Sequence, residues 1–269
     1  MEIFTLINSQ FSFTAQVFLV AIFGLIFGSF ITLLSQRLVS NQKIGFARSS
    51  CPKCHFTLKI RNLVPLLSWI FQGGKCSNCA EKISLRYPLI ELSCAISFVI
   101  IFFALDKKID ERLIILCLIA ATLILMIVTD LEHYLIPDFS QYLLAILVII
   151  LRIHDEGTYG AVSNIKSAFC YMGFGLLMLV FFYIVTKIEA VGVDDIKFFF
   201  IAGLMLGMNN FLFFMLASGI FGSLFGASWQ AIKKDKIFPF APAICLSFYI
   251  CMLFGNKINP VEIFGSLVF

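Results

Sequence analysis

The chain has 269 residues, of which 60% are hydrophobic and 13% are charged, whereas a soluble domain has roughly 45–50% apolar residues. Its 32 phenylalanines are more than a core of this length can bury, so the composition excludes a soluble globular fold. The net charge of +4 is modest, and we expect membrane lipid around the chain and no nucleic-acid partner.

Long apolar runs recur along the whole chain, and a membrane-spanning helix needs about 20 such residues. They predict an all-α polytopic membrane protein with about eight transmembrane helices. The predicted spans are 13–35, 88–105, 113–129, 139–153, 167–186, 197–208, 211–231 and 239–254. The first run lacks the basic start and the cleavage site of a signal peptide, so we interpret it as a retained span.

The sixth predicted span, 197–208, is shorter than the others. Its 12 residues would form a helix about 18 Å long, which is less than the ~30 Å hydrocarbon core. We therefore expect a short or broken helix that protein shields, that tilts, or that borrows residues from its neighbours. Broken helices of this kind often flank polar sites.

Three parts of the chain are expected: a first transmembrane helix (1–35), a cysteine-containing segment (36–87) and a membrane-embedded bundle (88–269). The middle segment holds nine of the 20 Lys and Arg residues, and Glu81 is its only acid. Because basic loops stay on the cytoplasmic side, we expect this segment inside and the N-terminus outside. Gly28, near the end of the first span, favours close packing of helices.

Four of the nine cysteines form two Cys-x-x-Cys pairs, Cys51 with Cys54 and Cys76 with Cys79. Each pair can hold one ion through a tight turn, and two pairs complete a closed, structural zinc site. Such a site would hold together a segment too small to build much of a core. Disulfides or free thiols are the alternatives, and a reducing cytosol disfavours disulfides. We expect His55 to be a solvated loop residue rather than a substitute ligand.

The other five cysteines lie singly in apolar spans, where a buried apolar thiol is expected. Two acids also stand at the edges of apolar runs: Asp130 ends the third predicted span, and Asp195 precedes the sixth. An acid at the rim of a membrane helix is a functional candidate by default. With the predicted alternation of loops, both acids fall on the cytoplasmic side.

Two carboxylates held close together share one proton. One of them can then act as general base on a water molecule while the other acts as acid toward a carbonyl oxygen. This is the chemistry of an aspartic protease, but two rim acids fit a proton-coupled transporter equally well. The residues alone leave both hypotheses open.

The loop after Asp130 contains further polar residues. Pro137 is expected to open the fourth span, as proline does at helix starts. Asp138 favours the positive N-terminus of that helix. Glu132 and His133 are expected to be solvated loop residues.

Six short motifs follow one another in a specific order between about residues 24 and 242. They are GSF at 28–30 with RL at 37–38, the two cysteine pairs around PLLS at 65–68, ISLRYP at 83–88 followed by Glu91, Asp130 with IPD at 136–138, DIK at 195–197, and FPFAP at 238–242. In this order the motifs resemble those of the prepilin peptidases, polytopic membrane aspartic peptidases. The resemblance implies that Asp130 and Asp195 are catalytic, with Gly192, Asp194, Lys197, Pro137 and Asp138 supporting the two motifs.

The resemblance also implies an activity and a location. The enzyme would lie in the bacterial inner membrane and remove the short basic leader of type IV prepilins or type II secretion pseudopilins at the cytoplasmic face. It would then methylate the new N-terminal amine with S-adenosylmethionine. No glycine-rich Rossmann fingerprint is visible, so this cofactor is expected from the resemblance alone.

The second catalytic motif departs from the family's Gly-x-Gly-Asp, because Asp194 stands where the family has its second glycine. Glycine permits close backbone approach or a positive φ, and aspartate is one of the better substitutes for positive φ. Asp194 could therefore preserve a turn, add a charge or take over catalysis, although the register to Lys197 favours Asp195. Thr32 and Ala241 are two further departures. A catalytically degenerate membrane scaffold is the remaining alternative.

Overall fold

The computed structural model describes residues 2–39, 49–105, 107–186, 192–234 and 238–255. The described residues form ten α-helices and two short 3₁₀ helices, Ile60–Asn62 and Met208–Asn210, with no β-strand among them. The α-helices are α1 Glu2–Gln10, α2 Phe13–Val39, α3 Leu67–Phe71, α4 Arg86–Ala104, α5 Glu111–His133, α6 Asp138–Ser163, α7 Ile165–Thr186, α8 Val193–Leu206, α9 Phe211–Lys233 and α10 Ala241–Phe254.

Five of the described helices, α2, α4, α5, α7 and α9, are long and apolar enough to cross a membrane. An all-helical, multi-pass membrane protein is therefore confirmed. The other three predicted spans fall in α6, α8 and α10, and α10 is an apolar helix of 14 residues. Within α6 the helix breaks at Gly157, whose φ of 70° and ψ of −171° lie in a region open mainly to glycine.

The chain divides into two compact units, 1–125 and 126–269. In the first unit, α2 packs against α4, and glycines allow the two backbones to approach closely. A Cβ added at Gly24 would lie 2.5 Å from the Cα of Ala95, and one added at Gly28 would overlap the Cα of Glu91. The expectation that Gly28 serves helix packing is confirmed.

In the second unit, the short helix α8 packs against α6, α7 and α10. A Cβ added at Gly203 would lie 2.6 Å from the Cα of Ala168 on α7. On the α10 side, Phe198 meets Phe248 edge to face. The 14 residues of α8 extend about 21 Å, and most of its side chains are buried. The helix that the sequence predicted to be short is thus short and surrounded by protein.

Candidate active site and metal centre

Asp130 lies in the last turn of α5 and is buried, with 7% of its surface exposed. Its Oδ2 accepts a hydrogen bond of 2.8 Å from the backbone N–H of Ala241. Ala241 is the first residue of α10, and the first N–H groups of a helix have no partner within the helix. The carboxylate therefore occupies the position at a helix N-terminus where negative charge is favoured.

Asp195 is the third residue of α8 and is equally buried. Its Oδ2 accepts a hydrogen bond of 2.9 Å from the backbone N–H of Gly192, the residue that caps the helix. Gly192 has an extended backbone that any residue can adopt. A Cβ at this position would lie only 3.3 Å from Oδ2 of Asp195, so glycine leaves space for the carboxylate.

The fold brings the two acids together within the second unit. Asp130 and Asp195 lie close enough for the charge of one to act on the other. The buried thiol of Cys245, one turn into α10, also lies within electrostatic range of both carboxylates. The expectation of buried thiols in the apolar spans is confirmed for four of the five single cysteines and is wrong for Cys170, which is exposed. The place of Cys245 beside the acids was missed.

Asp194 is partly exposed and is part of an ion-paired network, although its charge also acts on Asp195. Its Oδ1 accepts a hydrogen bond of 2.9 Å from Nζ of Lys197, which also donates to Oδ1 of Asp138 at 2.7 Å. The backbone carbonyl of Asp194 accepts a bond of 3.3 Å from the side-chain amide of Gln141. Asp194 lies in the first turn of α8, so the hypothesis that it preserves a positive-φ turn is wrong.

The loop between α5 and α6 leads into α6, which packs against α8. Pro137 is buried and caps α6, which begins at Asp138 as expected. The carbonyl of Pro137 accepts the backbone N–H of Ser140 at 2.9 Å. Glu132 and His133 are exposed, as predicted, but they form the end of α5 rather than part of the loop.

The four paired cysteines form a cluster in the first unit. Their sulfurs all lie within 4.8 Å of one another, and the Sγ atoms of Cys51 and Cys79 are 3.9 Å apart. Four sulfurs bound to one zinc ion at about 2.3 Å would lie about 3.8 Å from each other. The arrangement therefore fits a tetrahedral metal site, and His55 is not part of it.

The two cysteine turns have matching backbones. Cys51 N–H bonds to the Phe56 carbonyl, and Cys76 N–H bonds to the Glu81 carbonyl, at 3.0 and 2.8 Å. The residue after each second cysteine, His55 or Ala80, has a positive φ of 55° or 57°.

Hydrogen bonds lower the pKa of two of the four thiols, Cys54 and Cys76, whereas the pKa of Cys79 is raised. Hydrogen bonds to the Cys54 sulfur lower the pKa of its thiol to about 6. The bond from the backbone of Phe56 has the larger effect, and the bond from the Asn78 amide has the next largest. Cys54 is therefore mostly thiolate at neutral pH, which is the form that binds metal.

Comparison with known proteins identifies the family of this chain. Residues 22–105 match the Bacterial Peptidase A24 N-terminal domain, and residues 117–227 match the Type IV leader peptidase family. The chain is 33% identical over 248 residues to the Prepilin leader peptidase/N-methyltransferase of Bacillus subtilis, covering 88% of this chain and 94% of that protein.

Other curated relatives agree. The chain is 28% identical to the enzyme of the same name from Stutzerimonas stutzeri, covering 78% of this chain and 73% of that protein. It is also 28% identical to the Type 4 prepilin-like proteins leader peptide-processing enzyme of Escherichia coli, covering 86% of this chain and 91% of that protein. No solved structure matches the chain. Two family domains in the expected order and relatives similar over most of their length show that the chain belongs to the type IV leader peptidase family.

Proposed function

We propose that this protein removes the leader peptide from prepilins or pseudopilins and methylates the N-terminus that cleavage creates. The observation that supports this proposal best is the buried pair of carboxylates, Asp130 and Asp195, in a chain whose relatives are named prepilin leader peptidases. Each carboxylate is oriented by one backbone N–H, from Ala241 or Gly192.

The proposed cleavage uses the two carboxyl groups with one proton between them. The ionised carboxylate removes a proton from a water molecule as the water oxygen attacks the carbonyl carbon of the scissile peptide bond. The protonated carboxyl group donates its proton to the carbonyl oxygen, and a tetrahedral diol forms. As the diol collapses and the C–N bond breaks, one diol hydroxyl returns its proton to the ionised carboxylate, and the protonated carboxyl group gives its proton to the leaving nitrogen. The two carboxyl groups again share a single proton.

The hydrogen bonds at each acid support a division of roles between its two carboxyl oxygens. Each carboxylate has one oxygen, Oδ2, engaged by a backbone N–H at a helix start. A fixed N–H holds the plane of the carboxyl group, and the other oxygen can then face water or substrate. We assign catalysis to Asp195 rather than Asp194, because Asp194 is partly exposed and paired with Lys197.

The ion-paired network is proposed to position Asp195. Lys197 links Asp138, at the start of α6, to Asp194, in the first turn of α8. Gln141 binds the carbonyl of Asp194 from α6 as well. These bonds join α6 to the turn that carries Asp195. Gly192, Asp194, Lys197, Pro137 and Asp138 would thus act on the orientation of the dyad rather than on substrate.

The membrane arrangement is part of the proposal. We propose eight membrane crossings, with α6, α8 and α10 completing the five long apolar helices. The N-terminus would lie outside the bacterial inner membrane, and the basic segment 36–87 would lie in the cytoplasm. Asp130 and Asp195 would then face the cytoplasm, where the basic leader of a prepilin also lies.

The four cysteines are proposed to hold a structural zinc ion, since the sulfurs have the right spacing and no position is left for water. S-adenosylmethionine is the proposed methyl donor, because the relatives are named N-methyltransferases. When bound, it would supply an electrophilic methyl group to the amine released by cleavage.

The proposal is tested by co-expressing the protein with a prepilin and measuring the mass of the prepilin's N-terminal peptide. Wild-type protein should remove the leader and add one methyl group. We expect Asp130→Asn and Asp195→Asn each to lower the cleavage rate by roughly 10³-fold, since loss of a general acid or base typically removes 10²–10⁴-fold.

The matched control is Asp155→Asn. Asp155 lies on α6 about 25 Å along the helix from Asp138, and its change should leave cleavage unaltered. Normal processing by both dyad variants would overturn the peptidase assignment. Cleavage without methylation by the wild-type protein would remove only the transferase half.

A further inference from the structure

The cysteine-containing segment, which lies in the first unit, carries large apolar side chains that are exposed. The 3₁₀ helix and α3 pack together, and both are outside the five long apolar helices. Six large apolar residues on or beside them are 41–86% exposed. This apolar surface consists of Ile60, Leu63, Val64, Leu67, Ile70 and Phe71.

Three of these residues share one face of α3. Leu67, Ile70 and Phe71 stand at positions i, i+3 and i+4, which lie above one another on a helix. Phe71 is 84% exposed, and Ile60 on the neighbouring 3₁₀ helix is 86% exposed. A continuous exposed apolar surface of this kind is rare on parts of a protein that face water alone.

A buried carboxylate on α4 fixes the position of this surface along the axis of α4, measured from the start of the helix. Glu91 is 7% exposed, and its Oε2 accepts a hydrogen bond of 2.6 Å from the backbone N–H of Leu66, directly before α3. Glu91 is five residues into α4, which begins at Arg86, so its Cα lies about 7.5 Å along the helix axis. The 19 residues of α4 extend only about 28 Å, close to the thickness of the hydrocarbon core. The start of α3 is therefore tied to a level inside the apolar part of α4.

The backbone at this tie is strained. Leu66 has φ 59° and ψ −52°, and Leu67 N–H bonds to the Pro65 carbonyl at 2.6 Å. These angles and this bond define the rare form of the γ-turn. Such conformations persist only where the surroundings impose them. Here the Glu91 carboxylate accepts the N–H of Leu66 and holds the turn in this conformation.

The charges around the apolar surface have one sign. Lys59 and Arg61 are exposed on either side of Ile60, and the whole segment 36–87 has nine basic residues and one acid. Exposed Lys and Arg beside apolar and aromatic side chains are typical of segments that lie in a membrane interface with anionic lipids.

From these observations we infer that the apolar surface docks on the lipid bilayer, on the side where α2 ends and α4 begins. Leu67, Ile70, Phe71 and Ile60 enter the boundary between headgroups and acyl chains, and Lys59 and Arg61 contact anionic headgroups. The Leu66–Glu91 bond sets the depth. The cysteine cluster is thereby held against the membrane rather than free above it.

A photoreactive side chain tests this inference in the full-length protein. Phe71 is replaced by p-benzoylphenylalanine in protein reconstituted in vesicles of phosphatidylethanolamine and phosphatidylglycerol, and the products of illumination are identified by mass. The matched control carries the same probe in place of Lys53, which is exposed on the first cysteine turn. We expect roughly tenfold more lipid adduct at position 71 than at position 53, since only an interfacial residue reaches the acyl chains.

Equal lipid labelling at the two positions would overturn the inference, as would adducts at position 71 that join it mainly to protein. Protein adducts would instead indicate a peptide, another copy of the chain or another part of the same chain as the occupant. A probe at Ile60 repeats the measurement in case the change at Phe71 disturbs folding, and resistance of the segment to protease checks the fold of each variant. The experiment works equally in Asp195→Asn protein, so its outcome is independent of catalysis.

Discussion

Asp130 and Asp195 are buried at the ends of helices whose neighbours are apolar, whereas the four cysteines lie in turns of a segment with few buried side chains. Helix packing brings the two aspartates together and supplies the N–H of Ala241 that orients Asp130, whereas Asp195 is oriented by Gly192 at the start of its own helix. The cysteines are oriented by local turns, and a metal would hold those turns together. Packing over a whole unit therefore determines one site, while residues close in sequence determine most of the other.

This difference predicts which changes each site withstands. A change in helix packing should alter the site by shifting the aspartate carboxyl groups by a few tenths of an ångström. Loss of one cysteine should remove the metal and with it most of the structure of its segment.

Cys76→Ser should have the largest effect, because metal binding to small zinc sites contributes on the order of 10 kcal/mol. We expect the variant to lose its zinc and its segment to become sensitive to protease, while the membrane helices stay folded. Zinc content and limited proteolysis measure this. Cys170→Ser is the matched control, since Cys170 is exposed on α7 and outside the cluster. Well under one zinc per wild-type chain would contradict the prediction.

Gly24→Ala should reduce the stability of the first unit. The new Cβ would meet the backbone of Ala95 and Cys94 at 2.5–2.9 Å, so α2 and α4 would have to separate. Such overpacking typically costs about 1–3 kcal/mol. Unfolding in detergent measures the change, and Gly219→Ala is the control because nothing lies within 4 Å of a Cβ there. Equal effects of the two changes would show that the close approach is unimportant.

Gly192→Ala should reduce the rate of cleavage without unfolding the protein. The backbone of Gly192 suits alanine, but its Cβ would lie 3.3 Å from Oδ2 of Asp195. A shifted carboxylate of this kind should lower kcat/KM about tenfold, which corresponds to about 1.4 kcal/mol. Gly173→Ala on α7, with no atom near its Cβ, should leave kcat/KM unchanged. An unaltered rate for Gly192→Ala would mean that Asp195 has room to move.

Asp194→Gly should have the smallest effect. It removes an ion pair that is partly exposed and therefore worth little, and Lys197 keeps its bond of 2.7 Å to Asp138. We expect kcat/KM to stay within about threefold of the wild-type value, because such pairs contribute less than about 1 kcal/mol. A loss as large as that of Asp195→Asn would instead assign catalysis to Asp194.

The sequence predicted the cysteine cluster well because its geometry is local. The two residues between paired cysteines force a turn that brings the two sulfurs of the pair together. The four sulfurs then form one cluster as soon as the two turns come into contact. For the aspartates, hydropathy located each acid at the edge of an apolar run. The partner N–H of Ala241 was not predicted, because it depends on how α10 packs beside α5. The proline-rich FPFAP motif at 238–242, within which α10 begins, was the available signal for a helix start there.

Two other features depended on packing and were missed. Asp194 was interpreted from the glycine that it replaces, but its helical conformation follows from α8 beginning at Val193. Glu91 was recognised only as part of a motif, although it is buried and holds the strained turn at Leu66. The short helices α1 and α3 were also missed, since runs of five to nine residues are too brief to show a clear periodicity.

The hydrogen bond between Asp130 and Ala241 joins residues 111 positions apart in the chain. Because ribosomes make proteins from the N-terminus, Asp130 enters the membrane long before its donor has been synthesised. The pair of acids is complete only once the final described helix has been inserted. If the proposed dyad is correct, a nascent chain that ends before α10 lacks the N–H that orients Asp130.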